Sequence, residues 1–177
     1  MAHLARTRVH RSLAATLLGI VLVALASACG MNAQTTRPYT PAEGVSANVG
    51  PNAKAVQVRN LMILSREDGA GYVSATLVAQ ASDTLTAITG YPLKADGSNG
   101  APFETTMSKP IQLAAGELVV LTSQELIEVR SADLVVGGDA ELTLTFSTVG
   151  DLTIRVPVVD ANQPDYQTIT PSPTPST

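Results

Sequence analysis

Between residues 53 and 160 short runs in which apolar and polar side chains alternate recur along the chain, the signature of strands with one buried face. Val56 and Val58 alternate with Gln57 and Arg59, and the run Leu61-Met62-Ile63-Leu64 follows with its phase slipped near Asn60, which predicts a bulge. Val73, Ala75, Leu77 and Ala79 alternate with Ser74, Thr76 and Val78; Leu85, Ala87 and Ile88 come after a Ser82-Asp83 turn, and Leu118–Leu121 is a short apolar run. The clearest pattern comes last. Leu142, Leu144 and Phe146 alternate with Thr143, Thr145 and Ser147, and Leu152, Ile154, Val156 and Val158 alternate with Thr153, Arg155 and Pro157. These two runs predict a β-hairpin turning at Gly150-Asp151. Pro157 has no N–H to give a ladder, so its backbone should face outward at an edge or strand end.

Turn signals recur at Glu67-Asp68-Gly69, Asp96-Gly97, Asn99-Gly100 and Gly137-Gly138-Asp139. No sustained 3.6-residue period appears; Leu126 and Val129 within Ser123–Arg130 are spaced for one helical turn at most. The expected fold is all-β, an antiparallel β-sandwich of cupredoxin or immunoglobulin-like type. Flanking segments lack any period. Residues 30–52 are rich in Thr, Pro, Gly, Ala and Asn and read as a flexible tether; residues 161–177 are a Pro/Ser/Thr tail expected to be disordered, with a composition that suits O-glycosylation.

The first 28 residues change the picture. A basic stretch, 1–12, precedes the apolar run 13–25 (LAATLLGIVLVAL), which at 13 residues is too short to span a bilayer but fits a signal peptide. Ala26-Ser27-Ala28 then leads to Cys29, the only cysteine of the chain. Leu25-Ala26-Ser27-Ala28-Cys29 fits a relaxed lipobox: small residues admit the peptidase, and the thiol takes the diacylglycerol. Ala26 departs from the Leu more usual three residues before the cysteine, and Ala26-x-Ala28 also suits the general signal peptidase. The position of the sole cysteine favours lipidation, with cleavage between Ala28 and Cys29. The expected organisation is a signal peptide at 1–28, a lipidated N-terminus and tether at 29–52, a sandwich at 53–160 and a tail at 161–177. The expected location is the extracytoplasmic face of the cell membrane, where lipid chains hold the protein stably only when two or more are attached.

Charge and side-chain inventory narrow the function. The whole chain carries a net charge of −4; removal of Arg6, Arg8 and Arg11 with the signal peptide leaves 8 basic against 15 acidic residues. An acidic chain without a Lys/Arg cluster argues against nucleic acid and against a polybasic membrane patch. His3 and His10 leave with the signal peptide, so Ser-His and Cys-His catalysis lack their base. Glu125 and Glu128 could form a carboxylate pair, but they read instead as a solvated face near a turn. Asp133, Asp139 and Glu141 near Gly137-Gly138 have the oxygen ligands of a Ca²⁺ site but not the spacing of a known Ca²⁺ loop, and they read as turn acids. No helix and no Lys-Ser/Thr follow the glycine pair, so it is not a phosphate loop. No catalytic residue, metal ligand or cofactor is expected.

Four pieces of the chain resemble the exported copper-chaperone (PCuAC-type) domain family, and most of all its actinobacterial LpqE-type lipoprotein branch. They are the strand Tyr72–Ala79, the step Ser82-Asp83-Thr84-Leu85, the approach Ile111-Gln112-Leu113-Ala114-Ala115-Gly116-Glu117 and the final stretch Val136–Val158. The resemblance implies a cupredoxin-like sandwich. In that family an early His, a mid-domain Met and a late His-x-Met hold Cu(I), for which soft thioether and imidazole ligands are suited. Here the place of the late motif reads Ser123-Gln124-Glu125-Leu126-Ile127-Glu128, and the methionines left after cleavage are Met31, Met62 and Met107. Met62 is expected in the core, and one exposed thioether at Met107 does not hold copper. A fold can persist after its site is lost. The expected function is therefore a non-catalytic binding or structural domain of the cell envelope, with an envelope protein or glycan as partner. A copper-handling protein with an atypical or degenerate site is the alternative.

Overall fold

The computed structural model describes residues 43–124 and 126–169. They form ten strands and one helical turn: β1 (Val45–Val49), β2 (Val56–Glu67), β3 (Ala70–Ala79), β4 (Asp83–Leu93), β5 (Glu104–Thr106), β6 (Ile111–Leu113), β7 (Leu118–Val120), α1 (Leu121–Gln124), β8 (Glu128–Arg130), β9 (Asp139–Phe146) and β10 (Gly150–Asp160). The strand order is β5-β8-β3-β2-β10-β9-β4-β6, with β1 added to β2 and β7 to β3. The fold is all-β, as the alternation predicts.

All pairings are antiparallel except one. Residues 150–157 of β10 pair with β9, and its last three, Val158–Asp160, run parallel to Ile63–Ser65 of β2. One long strand thus serves two half-sheets, and the sheet curls through it into a sandwich. Pro157 sits at the switch. Val158 exchanges both its main-chain bonds with Gly137 and Gly138, on the β9 side. Strand alternation therefore turns the Pro157 nitrogen away from β9, towards an edge where β2 pairing has not yet begun. The missing donor costs nothing there, in agreement with the expectation from sequence.

The inward faces meet in one core that includes Val56, Val58, Leu61, Ile63, Leu77, Leu85, Leu142, Leu144 and Val156. Each fully buried side chain of this size contributes roughly 1.5–3 kcal/mol by leaving water. The predicted bulge is present: the β2–β3 register breaks between Arg59 and Met62, and Asn60 adopts φ 53°. Its Oδ1 accepts a hydrogen bond from Gly44 N at 2.9 Å. The slip lets Val56 and Val58 share a face with Leu61 and Ile63, and it turns Met62 and Leu64 to the opposite side.

That second face corrects one boundary. Met62, Leu64, Val159 and Ala161 form a small buried cluster against which Tyr166 and Ile169 pack, so residues 161–169, expected as part of a disordered tail, fold back as a strap. The apolar run Leu61–Leu64 is buried on both faces, and something must cover the outer one. The strap is tied by Ala161 N to Ser65 O, by Asn162 Nδ2 to Arg66 O and by Tyr166 Oη to Glu43 Oε2 at 2.8 Å. The tether boundary also moves. Val45–Val49, expected as coil, is a strand paired with Val56–Leu61; five residues of alternation are too few to stand out in a sequence. The last hairpin turns at Ser147–Val149 rather than Gly150-Asp151: Gly150 already pairs with Phe146, at φ +84°, where a glycine costs no strain.

Candidate functional site

Cys29 and Ala28, the predicted lipid-attachment and cleavage residues, lie outside the described residues, as do Met31 and both histidines. Glu125, one half of the candidate carboxylate pair, lies outside them too; the other candidates can be placed. Met62 is 1% exposed in the small cluster. Met107 is half-buried, packs against the main core and lines a recess of about 330 Å³ between β4 and β5, together with Phe103 and Thr105. Thr105 Oγ1 is buried there without a hydrogen-bond partner among the described residues. Ile127 is fully buried in the core and Glu128 is held on β8, its carboxylate 2.6 Å from Arg130 Nη2. Glu128 is therefore engaged in an exposed ion pair.

Asp133, Asp139 and Glu141 do not converge either. Asp133 Oδ2 accepts from Ala101 N at 2.7 Å while Oδ1 lies 3.5 Å from Lys94 Nζ. Asp139 pairs with Arg155 at 2.6 Å, and Glu141 accepts the Tyr91 hydroxyl. Each carboxylate has its own partner, and among the described residues no group of three or more His, Cys, Asp or Glu is placed to hold a metal ion.

The sequence marks Asp83 as part of a turn and of the Ser82–Leu85 step, without a role for its carboxylate. It is 6% exposed, and its carboxylate accepts from Thr84 N, Ser147 Oγ, Thr148 N and Val149 N. Burial alone would raise its pKa; the four donors outweigh burial and hold the group below the usual carboxylate range. It ties the start of β4 to the β9–β10 turn, and all its acceptor capacity faces inward. Its role is structural.

A cleft of about 850 Å³ opens between the loops at one end of the described domain. Its walls are the end of β4 at Leu93 with the loop after it (94–97) and the loop before β9 (Ala132, Asp133, Val135, Gly138), and its floor carries Asp139 and Arg155. The turn signals Asp96-Gly97 and Gly137-Gly138 create these walls by ending the strands at one level. Lys94 and Arg155 face Asp96, Asp133 and Asp139, so the charges nearly cancel. Backbone hydrogen bonding from Ala101 and the Lys94 ammonium keep Asp133 ionised, its pKa lowered despite some desolvation. Side-chain and backbone bonds from Ser98 do the same for Asp96. Sequence reading singled out the acids but missed the cleft, because Lys94 and Arg155 join Asp133 and Asp139 only through the β4–β9–β10 register.

The cleft lies at a defined end of the sandwich. Its β8–β9 wall is bonded to the β2–β3 hairpin turn through Gly69 N to Leu134 O and Val136 N to Asp68 Oδ1. The same end of β2 holds the strap and, through Tyr166, Glu43.

No protein-family model matches the chain, and no curated protein does. Among solved structures its neighbours are PCuAC domains. The copper-bound PCuAC domain from PmoF2 is 18% identical with a TM-score of 0.47, over 66% of this chain and 98% of that one. The apo PCuAC domain from PmoF1 is 15% identical with a TM-score of 0.47, over 66% and 99%.

Proposed function

We propose that the protein is a membrane-anchored lipoprotein of the extracytoplasmic face, related to the LpqE type, whose β-domain binds rather than catalyses. One observation carries this reading: the sole cysteine stands at the foot of a 13-residue apolar run, ahead of a β-domain that begins with β1 at Val45. The 14 residues from Cys29 to Glu43 reach at most about 50 Å when fully extended. Anchoring at Cys29 would thus keep the domain, and the cleft at its tethered end, close to the bilayer. The ionised, individually partnered carboxylates suit recognition better than proton transfer, for which a carboxyl with a raised pKa is wanted. Replacing Cys29 by Ala should release the protein from the membrane fraction and abolish incorporation of labelled palmitate. Membrane retention with unchanged mobility would sink the anchor.

A second reading is copper handling through an atypical site. It is favoured by the sequence resemblance and by the Met107 thioether, which lines a surface recess. Titration of the full chain with Cu(I) against a thiol chelator decides it. Stoichiometric uptake that Met107→Leu removes supports the reading, and no uptake disposes of it.

A further inference from the structure

We propose that the cleft at the tethered end binds a neutral saccharide. The proposal rests on reading the domain as a non-catalytic binding domain, and it names the ligand class. A cleft of about 850 Å³ is within the range of small-molecule sites. Its polar groups come as cation–carboxylate couples, Lys94 with Asp133 at 3.5 Å and Arg155 with Asp139 at 2.6 Å. A hydroxyl is both donor and acceptor. Two neighbouring hydroxyls on a sugar ring can therefore meet one couple together, one donating to the carboxylate and the next accepting from the cation. Bonds of this kind are charge-assisted and stronger than neutral ones.

Asp133 is prepared for this role, because Ala101 N fixes Oδ2 and leaves Oδ1 directed at Lys94. An anionic ligand would meet the three lining aspartates and a cationic one would meet Lys94 and Arg155, so a neutral ligand fits the balance best. Leu93 and Val135, the latter 53% exposed, offer apolar surface for ring C–H groups. A peptide is less well served. Leu93 is already paired with Asp139 at the cleft floor, which leaves no free edge between β4 and β9 for an added strand.

The test uses the full-length Cys29→Ala chain, so that binding is read separately from anchoring. Maltotriose, chitotriose and mannotriose are titrated by NMR, and vesicles of phosphatidylcholine with and without digalactosyldiacylglycerol are tested by sedimentation. Binding of a soluble trisaccharide supports the proposal and points to a glycan polymer. Binding only to the glycolipid vesicles supports it and points to a lipid headgroup. In either case Asp133→Asn and Arg155→Gln should each weaken binding at least tenfold, and raising NaCl from 50 to 500 mM should change it less than about threefold, since no net charge is being matched. No response from any probe, binding unaffected by both substitutions, or equal binding of trialanine overturns it. Failure of the anchor would appear instead in the fractionation of the unmodified chain.

Discussion

Asp83 is held from four sides, with four donors on one buried carboxylate. Asp83→Ala should destabilise the fold by about 2 kcal/mol, since the buried donors lose a charged partner, and urea unfolding measures it. The folded-state pKa is depressed, so the stabilisation is present above the unfolded value of about 3.9 and is lost as pH falls through the lower folded value. Acid unfolding of Asp83→Asn should therefore lack a stability decrement that the native chain shows below about pH 4. Gly90 is constrained by space instead. A Cβ there would overlap the Glu141 carbonyl oxygen across the β4–β9 pair, whose backbones the Gly90–Leu142 register brings together. Gly90→Ala should cost roughly 3 kcal/mol or leave the protein insoluble, whereas Gly137→Ala, where no atom lies within 4 Å, should cost only about 1 kcal/mol in backbone strain.

At the scale of elements, β10 shows what is legible in a sequence and what is not. Its alternation, its partner β9 and the special place of Pro157 all follow from a period of two and a missing N–H. The switch to β2 does not, because Val158 and Val159 look the same whichever strand they pair with. The bulge at Asn60 was legible because a phase slip leaves its mark on the apolar pattern. β1 was not, since Val45, Ala47 and Val49 give too few repeats, and neither was the strap, whose apolar contribution is Tyr166 and Ile169 amid polar residues. The same limit applies to the candidate site: acids near a glycine pair can be read off the chain, but their cations arrive from 39 residues earlier, Lys94 for Asp133, or 16 later, Arg155 for Asp139. Along its open side, residues 151–156, β10 carries Asp151, Thr153 and Arg155, and charges at an edge discourage pairing with another chain. Replacing both Asp151 and Arg155 with Val should raise the aggregation rate on concentration without lowering the unfolding midpoint, as light scattering and urea melts would show.

For the whole molecule, the strap is what joins the two ends of the folded chain. Removing residues 161–177 should uncover Met62 and Leu64 and cost about 2–4 kcal/mol, read as a lower urea midpoint. The Tyr166 hydroxyl is pushed up to about 12 by burial, by its bond to Glu43 and by the charges of Glu43 and Asp165. A raised folded-state value means that its contribution is complete below the unfolded value of about 10 and disappears as pH climbs towards 12. Tyr166→Phe should remove that alkaline step from the stability profile while leaving neutral stability within about 1 kcal/mol. The parallel join of Val158–Asp160 to β2 has a consequence in time. β2 is among the first strands to be synthesised and β10 is the last, so the curl cannot close until nearly the whole chain is available. Until then β2 has only β1 and β3 beside it, and Met62 and Leu64 have no cover. A chain delivered from its N-terminus onward thus stays open, and able to thread, until its final strand arrives.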